Sequence, residues 1–136
     1  MLRAGFESVE EFRRLTYIAA LMRCFPGRRP TGGGDVPPPP AGIANCAEWM
    51  EAEFNMLRPK VVILVGQMAI TRFLGAGRLE DRVGRIFEID GRVYLPLPHP
   101  SGQSRWLNEP PNRERLAAAL ALLREFRLLL GAGPGR

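Results

Sequence analysis

The five residues Val61-Val62-Ile63-Leu64-Val65, set between Lys60 and Gly66, constrain this chain more than any other segment. They are apolar at every position, so they do not alternate between a wet and a dry face. Such a run marks a β-strand covered on both sides of its sheet. A sheet covered on both faces needs helices above and below it. The surrounding sequence supplies them. Gly66 ends the run, and residues 67–74 predict a short helix. Residues 85–89 and 92–97 flank Asp90-Gly91, a two-residue hairpin signal. Ser8 with Glu11 three residues later forms a capping box for a helix over residues 8–15. Residues 16–22 (TYIAALM) suit a buried strand. Residues 28–42, rich in Gly and Pro, predict a loop. The apolar positions Ile43, Ala47, Met50, Phe54 and Leu57 fall at steps of three and four, predicting one helix over residues 43–57. Residues 98–111 predict a long loop. Asn112 is then expected to cap a final helix over residues 113–130. Strands alternating with helices imply an α/β domain of three αβα layers around a short, largely parallel sheet. Residues 1–130 are expected to form it as a single domain, with residues 131–136 as a flexible tail.

Composition narrows the class. The chain has 136 residues, 46% of them hydrophobic and 24% charged, which fits one globular domain rather than a disordered tail. No apolar run approaches the ~20 residues of a membrane helix. Glu7, Glu10 and Glu11 stand where a secretory signal would be apolar. A reducing cytoplasm is therefore the expected setting, and Cys24 and Cys46 are expected as thiols or metal ligands rather than as a disulfide scaffold. The net charge is +5, and of 19 basic residues only Lys60 is a lysine. A GC-rich genome explains the arginine-to-lysine ratio but not the excess of base over acid. That excess permits nucleic-acid binding. The prolines before Gly42 could occupy a partner groove as a polyproline helix. A plain connector is the preferred reading.

The chemistry concentrates in one loop. In open α/β sheets ligands bind at the carboxyl ends of strands. The sequence Pro96-Leu97-Pro98-His99-Pro100 stiffens such a strand end and holds the chain's one histidine there. An immobilised imidazole can donate a hydrogen bond to developing negative charge. Ser101, Gly102, Gln103, Ser104, Arg105 and Trp106 follow. Arginine and tryptophan stack on bases, and arginine also grips phosphate. A serine–histidine hydrolase fits poorly, because Ser101 lies two residues from His99 without a G-x-S-x-G elbow.

Taken in order, these segments resemble the uracil-DNA glycosylase superfamily, nearest its bacterial iron–sulfur branch. His99-Pro100-Ser101-Gly102 resembles its strand running into H-P-S. Tyr17-Ile18 through Arg23-Cys24-Phe25-Pro26 resembles its strand ending in K/R-C-x-P. Ile43-Ala44-Asn45-Cys46 with Trp49 resembles the helix start that follows, and Arg58-Pro59-Lys60 through Gly66 resembles its L-x-P-K-V-V-V-x-L-G strand. The resemblance implies a DNA repair enzyme that flips uracil, or a related deaminated base, out of DNA and hydrolyses its glycosidic bond. His99 would be catalytic, hydrogen-bonding the departing base. Ser101 to Trp106 would contact DNA, with Gln103, Arg105 and Trp106 as the wedge that fills the gap in the duplex. DNA would be the partner, and the protein a monomer. Cys24 and Cys46 stand where that branch places two of the four ligands of a [4Fe-4S] cluster. With no other cysteine, this chain cannot complete such a site alone. The two are then vestigial, metal-binding with a partner's help, or buried thiols.

Three departures qualify the match. The family's opening strand and its G-E-A-P-G-like, water-positioning loop have no counterpart, so the sheet is expected to lack an inner strand and Met1 to be a displaced start. Ala20 stands where the family carries a uracil-reading asparagine. Residues 31–40 lengthen the link between the cysteines. Two alternatives therefore accompany the glycosylase reading: a non-catalytic DNA-binding module of the same fold, and an inactive truncated product.

Overall fold

Strand β1 occupies Val61–Val65, as the apolar run predicts. The structure, a computed structural model, describes residues 4–100 and 105–131. The chain divides into two compact units, one built from the described parts of Met1–Thr16 and Lys60–Arg136, the other from Tyr17–Pro59.

In the first unit, β1 leads through Gly66 into helix α4 (Gln67–Leu74), and the chain returns through the hairpin of β2 (Phe87–Ile89) and β3 (Arg92–Leu97). The sheet order is β1-β3-β2. β3 runs parallel to β1, with Val61 opposite Val93 and Val65 opposite Leu97, and antiparallel to β2. Asp90 and Gly91 both have positive φ (51° and 71°), as a two-residue hairpin turn of the right twist requires.

Side-chain parity builds the layers. Successive residues of a strand point to opposite faces. Leu64 and Tyr94 therefore share one face, packed with Ile70 of α4 and partly buried Val62, Phe73 and Phe87. Leu95 points the other way, into a core with Ala4, Phe6, Val83, Ala119 and Leu123, to which Ile63 and Leu97 add. Ala119 and Leu123 belong to helix α5 (Pro110–Gly131). The mixed sheet is thus covered by helices on both sides, the αβα arrangement expected from β1.

Helix α1 (Val9–Leu15) has Ser8 as its N-cap, whose Oγ accepts the Glu11 N–H at 3.0 Å. The reciprocal half of the box shifts by one residue: Glu11 Oε2 accepts from Glu7 N–H at 2.6 Å instead of from Ser8. The other Glu11 oxygen pairs with Arg127 of α5, which clamps α1 onto α5. The final helix starts at Pro110, earlier than Asn112 alone suggests. Prolines suit the first helical turn because its N–H groups need no intrahelical partner. Among the described residues no helix is long and apolar enough to cross a membrane.

The second unit corrects two expectations. Residues 16–22 form no strand, and Tyr17 and Ile18 are 59% and 73% exposed. Strand-like side chains make a strand only where the backbone pairs, and these residues pair with no described strand. Instead Tyr17 donates its hydroxyl to Glu53 Oε1 at 2.8 Å, and Arg23 pairs with the same carboxylate. The Tyr17 hydroxyl lowers the Glu53 pKa, and the bond raises that of Tyr17 in turn. The single helix expected over residues 43–57 is two: α2 (Pro40–Asn45) and α3 (Ala47–Leu57), broken where Cys46 has φ −95° and ψ 0°. The Pro-rich loop therefore yields its last proline to α2.

Two outcomes test this packing. Leu95 is fully buried, so Leu95→Ala should cost about 2–5 kcal/mol in a denaturant titration. The Glu11 carboxyl lies below its ordinary value of 4.5, first through the Glu7 N–H and then through Arg127. A carboxyl lowered in the folded state contributes stability above its unfolded pKa and loses it as pH falls through the folded one. Glu11→Gln should therefore lower Tm at pH 7, and the gap from wild type should close as pH drops below 4.5.

Candidate active site

Parallel pairing brings the carboxyl ends of β1 and β3 side by side, because Val65 lies opposite Leu97. The residue after each strand is fixed by that register. Gly66 donates its N–H to Leu97 O at 2.9 Å, extending the ladder one step beyond β1. Pro98 is buried, and His99 emerges exposed just past it.

Gly66 is the seat of the histidine. A Cβ placed on Gly66 would stand 3.3 Å from His99 Cδ2 and 3.4 Å from His99 Cβ. Gly66 also has φ 86°, a region glycine enters without strain. Two independent demands, backbone conformation and space for the imidazole, therefore meet at one residue. Gly66 is also the N-cap of α4, so the helix begins directly beside His99. The unpaired N–H groups of a first turn carry partial positive charge. The strand ends thus offer an imidazole and a positive helix terminus at one place, a suitable arrangement for negative charge. The sequence reading treated Gly66 only as a strand terminator. Its position immediately between a buried strand and a helix was the available signal of a further role.

The loop beyond His99 is held at both ends. Residues 101–104 lie outside the described residues, and with them Ser101, Gly102, Gln103 and Ser104. Arg105–Asn108 form a short 3-10 turn. Arg105 is exposed, while Trp106 is half-buried and packs against the Leu95 core. Trp106 Nε1 is buried without a hydrogen-bond partner among the described residues. Asn112 is 4% exposed and donates from Nδ2 to Trp106 O at 2.9 Å, while its Oδ1 accepts from Arg115 at 3.1 Å. Arg113 Nε donates to Leu107 O at 2.8 Å. Asn112 therefore does not serve as the helix cap expected of it. Inside the first turn of α5, it pins the far end of the loop. The polarity of Asn112 at a helix start was visible in sequence, but its partner carbonyl six residues back was not.

The cysteines lie in the second unit. Cys46 is buried and its sulfur accepts the Arg23 N–H at 3.4 Å; Cys24 is exposed. Among the described residues no group of three or more His, Cys, Asp or Glu side chains could hold a metal ion. A four-thiolate cluster does not fit this donor set.

The family described as the Uracil DNA glycosylase superfamily matches residues 1–124. A Type-5 uracil-DNA glycosylase of Pyrobaculum aerophilum is 30% identical over 93 residues, which are 65% of this chain and 37% of the relative. The chain thus spans little more than a third of that relative's length. With both strand-end motifs inside the matched region, the chain belongs to the uracil-DNA glycosylase superfamily.

Proposed function

We propose that this protein is a DNA base-excision glycosylase that hydrolyses the N-glycosidic bond of uracil or a related deaminated base. The observation that carries the reading is His99, held at the carboxyl end of β3 against Gly66 and beside the start of α4. In such a reaction the bond between the sugar C1′ and the base nitrogen breaks. The electron pair leaves with the base, and the sugar becomes oxocarbenium-like. Water then adds to C1′ and gives up a proton. His99 would donate a hydrogen bond to the base oxygen as charge builds there. The first turn of α4 would add positive potential. Neither group has to move, because prolines flank His99 and a glycine seats it.

The target base must leave the stack to reach this site. Gln103 and Arg105 are the residues proposed to fill the gap in the duplex, with Ser101, Gly102 and Ser104 against the backbone. Trp106, packed on the core, is better suited to anchor that loop than to enter the duplex. Ala20, which has no polar side-chain atom, cannot read a base edge. Selectivity for the lesion then falls to other groups. No step of this scheme uses Cys24 or Cys46.

Incubation with uracil-containing single- and double-stranded DNA, followed by cleavage at abasic sites, tests the reading. His99→Ala should lower base release by about 100-fold or more, the usual loss for one donor to a developing anion. Release no greater than that of the variant would overturn catalysis by His99. Gly66→Ala should also impair release and change the His99 ring resonances in an NMR spectrum, since the new methyl would crowd the imidazole. The positive φ adds strain of about 1 kcal/mol or more.

A further inference from the structure

The turn Arg105–Asn108 joins the loop beyond His99 to α5, and a buried side chain decides where it sits. A lone 3-10 turn is weakly held by its own hydrogen bonds. This one is held from outside. Asn112 Nδ2 donates to Trp106 O at 2.9 Å, and Arg113 Nε donates to Leu107 O at 2.8 Å, so two successive carbonyls of the turn are fastened to α5. The orientation of the Asn112 amide is itself imposed. An arginine side chain carries only donors, and Arg115 Nη1 meets Asn112 Oδ1 at 3.1 Å. The amide oxygen therefore faces Arg115, which leaves the nitrogen for Trp106 O. Asn112 is 4% exposed, so water does not replace a partner lost there. Arg105 opens the turn and is exposed, while the next side chain, Trp106, packs on the Leu95 core. The exposed guanidinium thus extends from backbone fixed one residue away.

We propose that Asn112 is a positioning residue for duplex DNA: by holding the Trp106 carbonyl it fixes Arg105 where a planar side chain can replace an extruded base, and so raises activity on paired DNA relative to single strands. This role rests on the base-excision reading of the same site and deepens it. The two substrates make different demands. Extruding a base from a duplex costs pairing and stacking, which a residue filling the gap must offset. A base in a single strand carries little of that cost. A fixed Arg105 therefore contributes more on a duplex. The hydrogen bond from His99 to the departing base contributes equally on both, because the bond that breaks is the same. Asn112, being buried, acts through the turn rather than on the DNA. Arg115 acts one step further back, through the amide it orients.

Base release by the full chain from a uracil-containing oligonucleotide, presented single-stranded or paired, tests the proposal alongside the NMR amide spectrum. Asn112→Asp keeps the shape of the side chain and its Arg115 partner but sets an acceptor against Trp106 O. It should lower the ratio of duplex to single-strand kcat/KM about tenfold, the usual effect of one buried hydrogen bond. It should also shift the amide resonance of Leu107, whose nitrogen is bonded to the Trp106 carbonyl carbon. Asn112→Ala adds no charge and should lower the ratio as much. Arg113→Ala, at an exposed position, loses the neighbouring bond; it should retain Tm and lower the ratio about threefold. An unchanged ratio in Asn112 variants whose Leu107 resonance has moved overturns the proposal, as does an unchanged ratio in Arg113→Ala. Equal losses on both substrates with a lowered Tm overturn it too, and identify Asn112 as structural only. No release by the wild type from either substrate overturns the base-excision reading itself, and this role with it.

Discussion

The parallel pairing of β1 with β3, apolar on both faces, is the constraint on which the first unit depends. Parallel neighbours cannot be joined by a tight turn. The connection must leave the sheet, cover it and return, and α4 with the β2 hairpin does this. The opposite face then needs its own cover, which α1 and α5 supply through the Leu95 core. The same geometry sets both strands' carboxyl ends at one edge, so Gly66 and His99 become neighbours although they stand 33 positions apart in the chain. The candidate chemistry is thus a consequence of strand direction.

Rigidity around His99 is assembled from unrelated sources. Prolines restrict the backbone before and after it, and the absent side chain of Gly66 makes room for the ring. Asn112 and Arg113 fasten the far end of the loop to α5. A donor aimed at developing charge is most effective when nothing must reorganise as the charge appears. His99 is held so at the end of β3, and Arg105 on the far side of the loop is exposed.

Much of this architecture was legible in the residues. β1, α4, the Asp90-Gly91 hairpin and the Ser8 cap stand where the sequence reading put them. Each is encoded locally, by an unbroken apolar run, by glycines at element ends, or by a capping side chain. The misreadings share a cause. Residues 16–22 have strand-like side chains but pair with no described strand, and the break at Cys46 interrupts an apolar periodicity that continues across it. The role of Asn112 was hidden because its partner, the carbonyl of Trp106, belongs to a neighbouring turn.

The sequence by itself determined the class of the fold, the family and the one histidine available for chemistry, since these follow from short patterns and residue identity. Only the tertiary structure decided that Gly66 seats that histidine and that Asn112 anchors its loop. These are contacts between groups of different elements, set by register and burial, and no local pattern of side chains encodes them.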